Sequence, residues 1–262
     1  PAARGGGEME PDVIHSLTFS WTGWPHDRAE FPDVPASLFE GLVPLWRGDG
    51  FDVLLTEASG GKIQVTAGVL PDVAPAFFAA RIKGRLDHAF RKAAIPAAFS
   101  RKVGARTLAM NTRPVVENYL RTQVDRSDLA DPRYRASLKA ASFEDPGVDL
   151  AVPSETNSGR YWYDLHLVFV TADRYRYGAK EFWPAMREAF LAAAREDGCV
   201  VKALAVMPDH VHIALRGNVA LSPREIGTRL FTRTRRTAGF RVWRESFYAG
   251  SVGEYSLALI LD

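Results

Sequence analysis

The chain runs twice through one order of elements, and this repeat limits its fold more than any other feature. Asp49-Gly50-Phe51 lines up with Asp197-Gly198-Cys199 at an offset of 148. The same offset places Pro75 on Pro223, each just ahead of a long helical pattern. Further upstream, Ile14 to Thr22 (IHSLTFSWT) matches Tyr163 to Thr171 (YDLHLVFVT) at an offset of 149. Each half then reads as a strand, a helix, two strands joined by a turn, and a second helix.

In the C-terminal half the patterns predict a strand near Tyr163 to Thr171 and a helix from about Glu181 to Glu196. A strand near Val200 to Val206 follows, then a strand carrying His210 and His212, then a helix from about Ser222 to Thr237. Ser222 suits the N-cap of that helix and Pro223 its first position. The N-terminal equivalents are Ile14 to Trp21, Ser37 to Trp46, Phe51 to Glu57, Lys62 to Ala67 and Ala74 to Arg91. This order is that of a split β-α-β, ferredoxin-like unit. The predicted fold class is therefore α+β: two tandem ferredoxin-like units forming a pseudo-dimer, each an antiparallel sheet with helices on one face. The first unit spans residues 8–127 and the second residues 161–262. The stretch 128–160, rich in Asp, Pro, Ser and Gly, reads as the linker between them.

Within the second unit, Met207-Pro208-Asp209-His210-Val211-His212-Ile213-Ala214-Leu215 alternates as a strand does. Residues i and i+2 of a strand face one side, so both imidazoles can point at a single metal ion while Val211 and Ile213 point into a core. Two polar positions on a half-buried strand give the same pattern, and the tripeptide alone does not separate the readings. At the offset of 148, His210 falls on Lys62 and His212 on Gln64, so only the second half keeps the pair.

The first half carries a different feature. Arg113-Pro114-Val115-Val116-Glu117-Asn118-Tyr119-Leu120-Arg121-Thr122-Gln123 reads as a helix with Pro near its start. Tyr119 and Gln123, four residues apart, share one face of it. Their counterparts at the same offset would be positions 267 and 271, beyond Asp262.

With the two motifs side by side, the sequence resembles the HUH-type single-tyrosine transposases of bacterial insertion sequences and the REP-associated tyrosine transposases. YDLHLVFVT, AVMPDHVHIAL and VWRESFYAGSVG (Val242 to Gly253) carry the resemblance in the second half, and the helix ending NYLRTQ carries it in the first. The resemblance implies that His210 and His212 are the metal-binding pair, Tyr119 the nucleophile and Gln123 the third metal ligand. It also implies a site shared between two subunits, here fused into one polypeptide acting as a monomer, with one composite site kept. Lys62 and Gln64 depart from the family pattern in the other half. The implied cofactor is Mg²⁺ or Mn²⁺, and the implied partner is single-stranded DNA bearing hairpins. Tyr119 would attack the phosphodiester and keep the 5′-phosphate as a phosphotyrosine.

Composition agrees with a soluble globular chain, at 47% apolar and 24% charged residues. No apolar run approaches the roughly 18 residues of a membrane span. Pro1 to Gly7 reads as a flexible tail without a signal-peptide core. Cys199, the single cysteine, excludes intramolecular disulfides and cysteine-based zinc sites. A cytoplasmic, nucleoid-associated location is expected. Between Ser222 and Arg244 lie Arg224, Arg229, Arg233, Arg235, Arg236, Arg241 and Arg244 against Glu225 alone. That cluster is expected to track DNA phosphates, unless it is a solvated helix face. Trp243, Phe247 or Tyr248 would offer stacking faces for unpaired bases unless they are core.

Other residues carry weaker expectations. His166 reads as a structural histidine, and His15, His26 and His88 have no partner at ligand spacing. Tyr255 is the fallback nucleophile if the repeat alignment slips. An amidohydrolase would also use a strand-borne His-x-His, but needs eight β/α units and further ligands. The non-enzymatic alternative is a domesticated relative that binds structured single-stranded DNA without cutting it.

Overall fold

A computed structural model describes residues 10–28, 30–127, 131–178 and 181–255. Pro1 to Gly7 lies outside the described residues. The first half contains β1 (Asp12–Ser16), β2 (Thr18–Pro25), α1 (Ala36–Gly48), β3 (Phe51–Ser59), β4 (Lys62–Val69), α2 (Pro75–Lys92), β5 (Phe99–Leu108) and α3 (Arg113–Arg126). The connection is itself structured, with α4 (Pro132–Ala141), β6 (Phe143–Glu144), β7 (Ser154–Glu155) and β8 (Gly159–Trp162). The second half follows with β9 (Asp164–Thr171), α5 (Phe182–Glu196), β10 (Val200–Met207), β11 (His210–Arg216), α6 (Pro223–Ala238) and β12 (Trp243–Val252).

The fold is α+β. Among the described residues the strands form two six-stranded sheets, ordered β3-β4-β2-β5-β8-β7 and β1-β12-β9-β11-β10-β6. Four strands of each run in one shared order, so that β3, β4, β2 and β5 correspond to β10, β11, β9 and β12. Register fixes the correspondence. Lys62 pairs with Ser59 as His210 pairs with Met207, which keeps the offset of 148. Thr18 pairs with Gly68 as Asp164 pairs with Arg216, so the first strands align at 146 and not at 149. A further long strand of each half, β5 or β12, extends the sheet beside β2 or β9 and lies outside the element order read from the sequence.

The short strands bind the halves together. β1 lies parallel to β12 of the second sheet, and β8 lies parallel to β5 of the first. Each half thus lends a leading strand to the other. Hydrogen bonds at the seam repeat the exchange. The Thr18 amide donates to Ser251 Oγ at 3.0 Å, and the Asp164 amide donates to Thr107 Oγ1 at 3.3 Å.

Local chemistry explains the helices that matter for the site. Ser222 and Glu225 form a reciprocal capping box at the start of α6, with Pro223 in the first turn and left-handed Gly239 at its end. α3 begins with Pro114 in its first turn and buries Val116, Leu120 and Val124 along one stripe. Val116 and Leu120 pack on Ala203, Ala205 and Ala214 of β10 and β11. These small side chains let the helix lie close to the sheet. Leu204, Val206, Val211, Ile213 and Leu215 point the other way, into the main core with α5 and α6. The second sheet is therefore covered on both faces. Among the described residues, no helix is long and apolar enough to cross a membrane.

Candidate active site

β11 sets His210 and His212 on the face covered by α3, while Val211 and Ile213 are fully buried on the opposite face. His212 is 7% exposed and His210 is half-buried. α3 brings Tyr119 to them. The Tyr119 and His212 rings meet nearly perpendicular, 5.4 Å between centroids and 86° between planes. The rings of His210 and His212 are 4.8 Å apart. Gln123 lies one turn beyond Tyr119, half-buried, and its backbone carbonyl accepts from Ser127 Oγ at 2.8 Å.

Each histidine is held at Nδ1. His210 Nδ1 lies 2.7 Å from Asp209 Oδ1, and Asp209 Oδ2 accepts from Arg174 at 3.2 Å. Partial burial alone would raise the Asp209 carboxyl, but His210 and Arg174 outweigh it and hold the carboxyl below its usual range. His212 Nδ1 lies 3.0 Å from Nε2 of His166, with the two rings stacked at 17°. Burial pushes His166 down to about 4. Burial, followed by the charges of His166 and His210, holds His212 well below the usual imidazole range. Both are neutral at pH 7, the form that ligates metal. His166 is thus a member of the site that the sequence reading set aside. Tyr248 stands beside it, 6.2 Å ring to ring, over Gly250, where a Cβ would meet the Tyr248 hydroxyl at 2.6 Å.

The donor set fits a cation. His212 Nε2 is buried without a hydrogen-bond partner, an orphaned acceptor or donor of the kind that marks a ligand position. Among the described residues no three His, Cys, Asp or Glu side chains converge on a metal position. Gln123, an amide of another donor type, lies on α3 one turn beyond Tyr119.

α3 is pinned at its start by a buried ion cluster. Arg113 donates to Asp164 Oδ2 at 3.2 Å, and Arg216 donates to Oδ1 of the same carboxylate at 3.1 Å. Arg216 also donates to the carbonyls of Leu150 and Val152. The Arg113 amide donates to the Gly253 carbonyl at 2.7 Å. The tyrosine helix of the first half is thereby fastened to the histidine sheet of the second.

The matching place in the first sheet is chemically different. Gln64 donates to Ser20 Oγ at 3.2 Å, Thr66 donates to the same oxygen at 3.0 Å, and Lys62 reaches Gln64 Oε1 at 3.4 Å. Tyr255 stands over Arg106 of this sheet, 5.7 Å from guanidinium to ring.

Trp243 and Phe247, expected as stacking faces, need correction, and four of the arginines expected at phosphates have acidic partners within the fold. α6 lies on the sheet face opposite α3, since Gly227 of α6 sits against the Phe247 ring, which stacks on Phe169 in the core. Arg229 and Arg233 both pair with the nearly buried Asp197, each at 3.1 Å. Arg235 and Arg241 pair with Glu245 at 3.7 and 3.2 Å. Arg236 belongs to the same helix. Arg229 and Arg233 thereby tie α6 to the end of α5 and Arg235 ties it to β12, on the sheet face opposite the Tyr119–His212 contact, whereas Arg241 follows α6 and pairs with Glu245 four residues on. Trp243 is fully buried, its indole N–H donating to Thr234 Oγ1 at 2.8 Å, and Phe247 is also buried. Neither offers a stacking face to a base. Exposed aromatic rings stand instead beside Asp209. Tyr175 is 62% and Phe240 47% exposed, and both contact Tyr177 at 4.8 and 5.7 Å. The Tyr177 amide donates to the Pro208 carbonyl, two residues from His210. Arg174 and Arg176 flank these rings at the surface. A run of Arg and Tyr from Arg174 to Tyr177 was the signal in the sequence.

No curated protein sequence matches the chain. A putative transposase from Deinococcus radiodurans, known from its crystal structure, is 24% identical over 37% of this chain and 84% of its own, with a TM-score of 0.33. Residues 160–262, which hold His166, His210 and His212 but not Tyr119, match the family of IS200-like transposases.

Proposed function

We propose that this protein is a metal-dependent, HUH-type single-tyrosine transposase or nuclease acting on single-stranded DNA. The observation that carries the reading is the Tyr119–His212 ring contact, which joins a phenol from one half to an imidazole pair from the other. The two halves would act as the two protomers of a fused dimer, with the working site where α3 crosses β11. Lys62, Gln64 and Ser20 leave the matching place in the other half without imidazoles, so one site per chain would do chemistry.

His210 and His212, through Nε2, and Gln123, through its amide oxygen, would hold Mg²⁺ or Mn²⁺. When bound, the cation supplies polarisation of the scissile phosphate. Tyr119 does the covalent work. Its Oη forms a bond to phosphorus, the P–O3′ bond breaks, the phenolic proton passes to water and the leaving 3′ oxygen takes up a proton. The products are a 5′-phosphotyrosine and a free 3′-hydroxyl, and attack by a 3′-hydroxyl reverses the step and rejoins a strand. A phenol with a pKa of about 10 is more readily ionised than an alcohol, and the diester energy is retained in the adduct. Asp209 orients His210, and Arg174 steadies Asp209. Tyr175 and Phe240 would stack unpaired bases next to the site, with Arg174 and Arg176 near the phosphates. Hairpin-bearing ends are the expected substrates.

The experiment uses single strands from the DNA flanking the gene, labelled at either end and incubated with Mn²⁺. An SDS-resistant adduct retaining the label 3′ of the break supports the reading. Binding across both flanks without any adduct would favour a domesticated, non-cutting DNA binder.

A further inference from the structure

His166 invites a comparison between the halves. Register puts His166 where the first sheet has Ser20, since Ser20 pairs with Thr66 and His166 with Ala214. The three positions held by His210, His212 and His166 are thus Lys62, Gln64 and Ser20 in the other half. All three imidazoles occur together in one half and are absent together from the other. The cross-strand hydrogen bond itself is common to both, as Gln64–Ser20 at 3.2 Å and His212–His166 at 3.0 Å. Linking these two positions is a property of the fold. Linking them through two imidazoles is a property of the histidine half.

The difference matters because a neutral imidazole carries one proton on two nitrogens, and its neighbour decides which. His212 spends Nδ1 on His166 and leaves Nε2 buried and without a partner. If His166 donated to Nδ1, His212 would present an N–H at Nε2 and could not ligate. If His212 donates from Nδ1, Nε2 presents a lone pair toward the site. Asp209 enforces the same choice on His210, because a carboxylate can only accept from Nδ1. We propose that His166 is a positioning residue that accepts the Nδ1–H of His212, fixing its tautomer and ring plane so that Nε2 faces the site as a ligand.

This proposal rests on the reading of His210 and His212 as metal ligands, and the test separates the two. Histidine labelled with ¹⁵N in the chelator-treated full chain reports the His212 tautomer with no metal present. Wild type is expected to show Nδ1–H, His166→Phe the Nε2–H form or a mixture, and His166→Gln, whose amide oxygen can accept, a return toward Nδ1–H. Mn²⁺ affinity by paramagnetic resonance is expected to fall about 10- to 100-fold in His166→Phe and to recover in part in His166→Gln. Thermal melting checks that each variant folds. An Nε2–H tautomer in the wild type, or unchanged Mn²⁺ affinity in a folded His166→Phe, overturns the proposal. Absence of Mn²⁺ binding in the wild type overturns the ligand reading instead, and the tautomer alone then decides the role of His166.

Discussion

The ring of Tyr119 stands nearly perpendicular to the ring of His212, 5.4 Å between centroids, although the two residues belong to opposite halves of the chain. Their meeting depends on α3 crossing from the end of the first half onto the second sheet. Three alanines on β10 and β11 give it a shallow seat, and one buried carboxylate holds its start.

The seat can be filled. Ala205→Leu places extra methylenes beneath Val116 and Leu120 and should cost about 1–3 kcal/mol in urea unfolding, as overpacking does. Strand cleavage should fall further than stability does, because displacing α3 separates Tyr119 from His212. Wild-type cleavage in the folded variant would mean that the spacing of helix and sheet does not matter.

The anchor is sensitive in another way. Asp164 is fully buried between Arg113 and Arg216. Burial outweighs both guanidiniums and raises its carboxyl to about 6, so it is ionised at neutral pH. Asp164→Ala leaves two guanidiniums without their carboxylate and should destabilise the protein by about 3–5 kcal/mol. A loss under about 1 kcal/mol, the range of surface pairs, would show that the cluster does not fasten the halves.

Two groups of residues should separate stability from DNA binding. Arg229→Ala with Arg233→Ala strips Asp197 of both partners and is expected to cost about 1–2 kcal/mol of stability, with the salt dependence of single-strand binding unchanged. Tyr175→Ala and Phe240→Ala should leave melting nearly unchanged and weaken binding by about 1–3 kcal/mol for each stack lost. Fluorescence anisotropy over a salt series measures both. A reduced salt slope in the arginine variant would return α6 to the interface.

Cys199 gives a pH-dependent check on the core. Burial pushes its thiol up to about 11. A folded value above the ordinary one means that its contribution to stability is complete below about pH 9 and is lost as pH rises through about 11. At pH 8 it should resist alkylation in the folded protein and label readily in urea, followed by mass spectrometry. Fast labelling of the native chain would contradict the burial of this residue.

What the sequence made legible was local. The alternation around His210 and His212, the capping residues of α6 and the Pro-led stripe of α3 are each carried by neighbours along the chain. The paired offset of 148 between Lys62 and His210 also survives in the register. What stayed hidden was set by partners on other elements. β1 and β8 are short and gain their place only from β12 and β5. His166 looks like a core histidine until β9 is laid beside β11. Trp243 looks like a nucleic-acid surface until Thr234, nine residues earlier on α6, supplies the partner of its buried indole. β5 carries Arg101 and Lys102 amid small residues, so its alternation is faint beside that of β2.

The most direct measurement is to trap the covalent adduct with a single strand and Mn²⁺, digest it, and locate the modified residue by mass spectrometry. The composite site is expected to place the nucleotide on Tyr119, with no adduct in Tyr119→Phe or in His212→Ala. Attachment at Tyr255, or an adduct that persists in Tyr119→Phe, would contradict it.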